Sequence, residues 1–549
     1  MIESTRPGRV ASFCAVLALL LGLAPIWLSS VEMWDGVIGR HALAENDWTT
    51  IKRWVLDSNW YLTYGLFLLA DALQPLLPPW VFFKLWITLM VIGIAREVRR
   101  LGRDVFGISP AVVAWLPALV LSFPVWYVFF SFTPMVGHIT SVLLALSGYR
   151  FFHRRERWQA TLGLILILLS FQLASNCAFL IALEFGRWLL MADRARWNYG
   201  RSAILLFLAV AAFVATRVIW RPVGTYVDYN RFLNPLALST LLSYIKYSAL
   251  FATWGLLLLP LLPGLVTGWH HRQTGGDSIR TALQGAWRPM SVLAMLALAA
   301  AAPYVLVGLG YPLFVIHMPS PSSISAVLAG GSSQAPLSFW YGDWGARHLF
   351  LPMIAIVLFA GCCVALIQRT GAPTMAVRNA FMLMILVNLA IGTSGHWKKL
   401  ERIAQEQGIV KALAAYPAPP AGKVDLIVDA QVGYLGRIYE ANDLLLRAYG
   451  ATRWSALLLP EIPAILAWGE KMRSELEALP PALRSASDRT NLMSGYDWSR
   501  NCRTTARLQL ADLSVWDVLW RAEHQRTALP AATIRSVSSD CVDADPAWR

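Results

Sequence analysis

Residues 11–48 read ASFCAVLALLLGLAPIWLSSVEMWDGVIGRHALAENDW, and the fold turns on where this stretch changes character. Residues 11–30 are apolar over about the 20 positions that a helix needs to cross a hydrocarbon core of ~30 Å. Arg6 and Arg9 precede the run, and acids accumulate from Glu32 onward. A cleaved signal peptide opens the same way. The length of the run, and the lack of an A-x-A-like cleavage site before Val31, favour an uncleaved first membrane helix.

The rest of the chain agrees with that opening. Of its 549 residues 56% are apolar and 15% charged, against about 25% charge in an average soluble domain. An ordinary soluble enzyme is excluded, as are disordered, collagen-like and disulfide-scaffold classes. Further apolar runs begin near Trp80, Ala111, Pro134, Gln159, Cys177, Ser202, Tyr244, Pro289, Leu349 and Arg378. With the first run they predict an α-helical polytopic membrane protein of about eleven spanning helices. The 47 Lys and Arg against 33 Asp and Glu leave a net +14, which in a membrane protein first indicates cytoplasmic loops. No zinc-finger, helicase or P-loop pattern supports a nucleic-acid partner.

Five basic loops set the expected orientation: REVRRLGRD (96–104), YRFFHRRERW (149–158), DRARWNYGR (193–201), WHHRQTGGDSIR (269–280) and QRTGAPTMAVR (368–378). Placing all five in the cytoplasm requires that NWYLTYGLFLLADALQPLLPP (59–79) not cross the bilayer, and Asp71 with the PLLPP break suits a juxtamembrane or re-entrant segment. The alternative is that 59–79 spans and one basic loop is external. The transmembrane domain then covers 1–394, with a first external loop at 31–79 and a long one at 310–347. From about Gly395 the composition turns polar, and AYPAPPAGK (415–423) reads as a linker. KVDLIVDA, GRIYEANDLLLRAYG and WSALLLP read as strand, helix, strand, so 395–549 is expected to be a small soluble α/β domain. With an odd helix count and a cytoplasmic start, it lies outside, in the periplasm if this is a bacterial inner membrane. Cys502 and Cys541 are the two cysteines of the tail, and in an oxidising compartment such a pair is expected to form a disulfide.

Three features carry chemistry. Asp35 lies between Trp34 and Gly36 within a few residues of the first helix, with His41 just beyond. An interfacial aromatic and a glycine there hold a carboxylate at the membrane surface, where it can accept a proton from an attacking hydroxyl. The neighbouring Glu45, Asp47 and Asp57 read as ordinary solvated loop acids. Second, Lys84, Arg217, Arg221, Arg231, Lys246, Arg347 and His348 fall at or beyond external helix ends, against the positive-inside bias. Snorkelling explains any one of them, while their accumulation suggests an anion such as a phosphate headgroup. Third, the loop at 310–347 ends in the aromatic cluster Trp340, Tyr341 and Trp344, which reads as an interfacial belt or as a gate over a sugar or isoprenoid. His138 in SFTPMVGHIT, and Gln172 with Asn176 in SFQLASN, lie at other external helix ends. No CxxC or His-rich spacing suggests zinc.

This layout resembles the GT-C superfamily of polyprenyl-phosphate-dependent glycosyltransferases, in its first helix, its early acid in EMWDG, its juxtamembrane SNWYLTYGLFLLADAL, its many-helix core and its external C-terminal domain. Through SFTPMVGHITSVLLALSGYRFF and LLSFQLASN it is most similar to the bacterial O-antigen-modifying glucosyltransferases. The resemblance implies inverting transfer of a sugar from a polyprenyl-phosphate donor to a glycan, lipid or protein acceptor, with Asp35 deprotonating or orienting the acceptor. Several relatives carry a second acid in the loop where this chain has Thr133 and His138. No divalent metal or other cofactor is therefore assigned. Two alternatives stand beside this reading. A lipid-linked-sugar flippase would favour deep polar groups such as Glu184 and a repeat of broken helices, and an O-antigen ligase would use a diphosphate-linked donor.

Overall fold

The computed structural model describes residues 6–28, 32, 35–44, 46–56, 58–190, 198–219, 237–238, 279–306, 350–369, 374–415, 423–428, 443–444, 447–448, 455–459, 502–510 and 532–541. The chain divides into two compact units, one of residues 1–27, 52–320 and 336–396, the other of 28–51, 321–335 and 397–549.

The regular elements of the first unit are all helices among its described residues. It contains α1 (Arg6–Trp27), α4 (Tyr61–Leu73), α5 (Pro79–Asp104), the short α6 (Pro110–Val113) and α7 (Leu116–Ser122), α8 (Phe132–Phe152), α9 (Arg157–Ser170), α10 (Ala174–Leu190), α11 (Tyr199–Val218), α12 (Ile279–Leu306), α13 (Phe350–Arg369) and the first part of α14 (Thr374–Ala414). Among the described residues, four helices are long and apolar enough to cross a membrane, over Arg9–Trp27, Tyr199–Thr216, Phe350–Gln368 and Val377–Ala414. The segment at 59–79 yields only the 13-residue α4, about 20 Å long at 1.5 Å per residue and short of a ~30 Å core.

Polar contacts sort the helix ends of this unit. The Arg150 Nε donates to Glu97 at 2.8 Å, and Arg100 donates to the same carboxylate at 2.5 Å. Arg201 donates to the Phe152 carbonyl at 3.0 Å, and the Ser109 hydroxyl donates to Gln368 Oε1 at 3.0 Å. Four of the five basic loops thus contribute residues to one end. Glu184 lies there too: it accepts from Tyr149 at 2.7 Å and Ser202 at 2.5 Å, with His153 Nε2 at 3.0 Å. The opposite end carries the last turn of α1 and the first turns of α4, α5 and α8, with an aromatic cluster of Trp54, Trp60, Phe67 and Phe83 at centroid spacings of 5.3–6.4 Å. Aromatic rings at one level suit a membrane interface.

One expected span is corrected. The run from Ala111 is not a single helix: α6 and α7 are followed by Phe123 in extended conformation and a 3₁₀ turn over Trp126–Phe130. Pro124 is the reason, because a proline drives the preceding residue out of the α region and supplies no N–H. Val120 O still accepts the Phe123 N–H at 3.1 Å, and the Trp126 indole N–H donates both to it and to the neighbouring Leu121 O, each at 3.1 Å. Irregular backbone is tolerated at such depth only where it is buried in protein, and residues 118–136 are buried without exception. α1 approaches this break at Gly22, where a Cβ would stand 2.6 Å from the Leu121 oxygen. Trp126→Phe is expected to keep the ring and lose the cap, lowering stability by about 1–3 kcal/mol. Thermal unfolding in detergent measures this, and an unchanged midpoint would remove the indole from the account.

The second unit holds α2 (Asp35–Ala44), the start of α3 (Trp48–Val55), the end of α14 from Trp397 to Ala414, and a sheet. Its first part was expected to be loop but is helical. α2 closes in a Schellman turn, with Asn46 left-handed at φ 54° and the Asp47 N–H bonded to the Ala42 carbonyl at 2.8 Å. Asp47 then caps α3, its Oδ1 accepting the Thr50 N–H at 3.0 Å and its Oδ2 the Thr50 hydroxyl at 2.5 Å. The change of composition near Gly395 does not end a helix, since α14 runs 41 residues through it to Ala414. Strands β1 (Lys423–Val428), β2 (Ser455–Leu459), β3 (Cys502–Leu510) and β4 (Ala532–Cys541) form a sheet of order β2-β1-β3-β4. β1 pairs parallel with β2 and β3, and β3 antiparallel with β4.

Candidate functional site

Asp35 is the first residue of α2, a ten-residue helix. A carboxylate at that position is favoured by the positive end of the helix dipole. Val37, Ile38, Ala42 and Leu43 of this helix are buried, as is Glu32 just before it. The side chain of Asp35, and all of Trp34, lie outside the described residues.

His41 and Arg40 anchor the other half of α2. His41 Nε2 and Arg40 Nη2 both contact Asp443 Oδ1, and Arg447 Nε meets Asp443 Oδ2 at 2.9 Å. Arg447 also reaches Glu406 at 3.4 Å, and Arg402 pairs with Glu406 at 3.0 Å. Asp443 is 2% exposed. Burial on its own would raise its carboxyl, but the Arg447 charge, the His41 hydrogen bond and the Arg40 charge outweigh it and hold Asp443 at about 2. Because this value lies below the ordinary 3.8, the stabilisation is fully present above that pH and is lost as pH falls through about 2. His41, expected to face substrate, is thus a buried partner of an acid about 400 positions away. Sequence reading missed Asp443, Arg447 and Glu406. The one signal for them was the i,i+4 acid–base spacing of Asp443 and Arg447 within EANDLLLRAYG.

In the first unit the expected site residues form internal bonds. Lys84, read as snorkelling or as gripping a phosphate, is 2% exposed. Its Nζ donates to the Ile26 carbonyl at 2.5 Å and lies 5.0 Å from the Phe132 ring and 5.4 Å from Trp80. It caps the negative end of α1 instead of reaching for headgroups. Gln172 donates to the Gly137 carbonyl at 3.0 Å and the Ser141 hydroxyl at 2.7 Å, and accepts the Leu62 N–H at 2.9 Å. Asn176 donates to the carbonyls of Ser141 at 3.2 Å and Ser170 at 2.9 Å. These amides join α4, α8 and the α9–α10 corner. The contact is close, for a Cβ on Gly137 would sit 1.8 Å from Thr63 Oγ1.

His138 differs. Its Nδ1–H donates to the Pro134 carbonyl at 3.0 Å and its ring packs edge-on to Trp60 at 5.2 Å. The ring is partly exposed at the aromatic end of the unit. Arg221, Arg231, Lys246, Tyr341, Arg347 and His348 lie outside the described residues. Among the described residues, no group of three His, Cys, Asp or Glu is placed to hold a metal ion. No family model matches the chain, and no curated protein or solved structure matches it.

Proposed function

We propose that this membrane protein is a glycosyltransferase of the GT-C type, moving a sugar from a polyprenyl-phosphate donor to a cell-envelope glycan, lipid or protein acceptor on the periplasmic face of a bacterial inner membrane. Asp35 is the base that takes the proton of the acceptor hydroxyl, inverting the anomeric centre. The observation that carries this reading is that Asp35 opens a short helix eight residues after α1 ends at Trp27, and that this helix is tied down by a buried carboxylate. The acid is therefore part of a fixed element that follows a membrane helix by eight residues of chain, the kind of position at which a lipid donor and a polar acceptor can meet.

Membrane topology supports the same reading. Because His41 pairs with Asp443, α2 and the tail share one side of the bilayer, so an even number of crossings separates them. Together with α1 that makes the total odd, as eleven spans and a cytoplasmic start require. The tail then completes an α/β domain outside. The flippase alternative loses its main acid, since Glu184 is enclosed by Tyr149, Ser202 and His153 at the end that gathers the basic loops.

Purified protein in lipid nanodiscs, given a polyprenyl-phosphate hexose and a glycan acceptor, tests the proposal. Release of polyprenyl phosphate with a stoichiometric glycoside is expected. Movement of intact donor across the bilayer without release would favour the flippase, and activity only with a diphosphate-linked donor the ligase. Lys246 and Arg347 are expected to hold the donor phosphate, a point charge and a bidentate grip respectively. Each alanine variant should weaken equilibrium binding of a lipid-phosphate analogue by roughly tenfold or more, as loss of a charge-assisted hydrogen bond does. Unchanged affinity in both would return them to side chains that snorkel.

A further inference from the structure

We infer that Asp443 is a positioning residue: the C-terminal unit holds the helix that begins with Asp35 through a buried carboxylate clamped by Arg40 and His41. The inference rests on the glycosyltransferase reading for its catalytic consequence, but not for the clamp itself. It assigns the tail a task, that of completing the first external segment.

The geometry is that of a keystone. One oxygen of Asp443 receives Arg40 and His41, consecutive residues in the second half of α2, and the other receives Arg447. Arg447 continues to Glu406 on α14, and Glu406 to Arg402 one turn before it. A chain of charges thus runs from α2 through Asp443 and Arg447 to the long helix that enters this unit. Asp443 is its least exposed member, at 2%. A surface ion pair leaves its partners mobile and contributes little. A buried carboxylate with three cationic or hydrogen-bonding partners is different, because loss of the acid strands the remaining charges. Ten-residue helices are marginal alone, and Arg40 and His41 tie α2 to a carboxylate about 400 positions away in the chain. Their loss should release α2 as a unit.

The experiment compares wild-type protein with Asp443→Asn, full length and in lipid nanodiscs, by hydrogen exchange at the amides of 36–44 and by transfer from a polyprenyl-phosphate hexose. Exchange in α2 is expected to rise by at least roughly 100-fold, the range set by a broken buried ion pair. Amides of β1–β4 should keep their protection. Turnover should fall while donor KM stays unchanged, since the base is misplaced and the donor site is not. Should Asp443→Asn not be recovered folded, Arg40→Gln removes one partner of Asp443, the Arg40 side chain being 27% exposed, and should give the same pattern at roughly tenfold. Unchanged exchange in α2 in the variant recovered would overturn the clamp whatever the activity. Faster exchange with wild-type turnover would overturn the positioning role. Faster exchange in a protein whose wild type transfers no sugar would keep the clamp and sink the transferase reading alone.

Discussion

Asp35→Asn is expected to slow glycosyl transfer by roughly 10²- to 10⁴-fold, about 3 to 5 kcal/mol of transition-state stabilisation, with expression and donor binding intact. A sugar hydroxyl is a poor nucleophile near neutral pH and must lose its proton as the bond to the anomeric carbon forms. Asparagine keeps the shape and stays a good residue at a helix start, so α2 should survive the change. What it loses is the charge that accepts the proton. The effect should therefore fall on turnover and leave donor KM unchanged. Asp47 supplies the control. Its two oxygens already hold the Thr50 amide and hydroxyl, so Asp47→Asn should cost a fraction of a helix cap and leave turnover near wild type. If both variants lose activity alike, the proton acceptor is not Asp35 in particular. Wild-type turnover in Asp35→Asn would remove the assignment altogether.

The parts of this molecule that can be read from the chain are those governed by local pattern. The first helix follows from one apolar run with Arg6 and Arg9 before it. The brevity of α4 follows from Asp71 and the PLLPP break. The strands at KVDLIV and SALLL follow from β-branched and apolar residues bounded by turn formers. The break at Phe123 was equally local, but an apolar composition from Ala111 onward masked it. Pro117 and Pro124 were the signs, and the Trp126 indole that makes the break tolerable is recognisable only once the carbonyls it caps are in place.

The candidate site is less legible, because its partners are far apart in the chain. Lys84 reads as a cation at a membrane surface. Within the packed unit it donates to a backbone carbonyl, Ile26 O, and no residue type announces a backbone acceptor. Gln172 and Asn176 read as polar groups at helix ends, and that is where they lie. Whether such a group faces substrate or a neighbouring helix depends on how closely α4 and α8 approach at Gly137. His41 and Asp443 are separated by 402 positions, and nothing near either residue specifies the other. Hydropathy thus fixes which segments are helices, while the choice of polar partner is made only in the packed molecule.

Cys502 and Cys541 are expected to be joined, and here the fold adds a reason that composition lacked. β3 and β4 are antiparallel, and their register pairs Cys502 with Cys541 at the end of the ladder. Residues directly opposite in such a pair have Cα atoms roughly 4.5–5.5 Å apart, inside the ~4.4–6.8 Å that a disulfide accepts. Among the described residues β4 is an edge strand paired with β3, so a covalent link at its last residue keeps the sheet from fraying. Closing a loop of about 39 residues should stabilise the folded tail by about 4 kcal/mol in the chain-entropy estimate. Protein purified without reductant should yield a linked peptide in non-reducing mass spectrometry, and Cys502→Ser should lower the unfolding midpoint of the tail. The same measurement reports on location, because a disulfide persists on the oxidising side of the membrane. Since His41 ties α2 to Asp443, α2 must share the tail's side. Two free thiols would refute the link and remove its support for a tail, and with it Asp35, on the oxidising face.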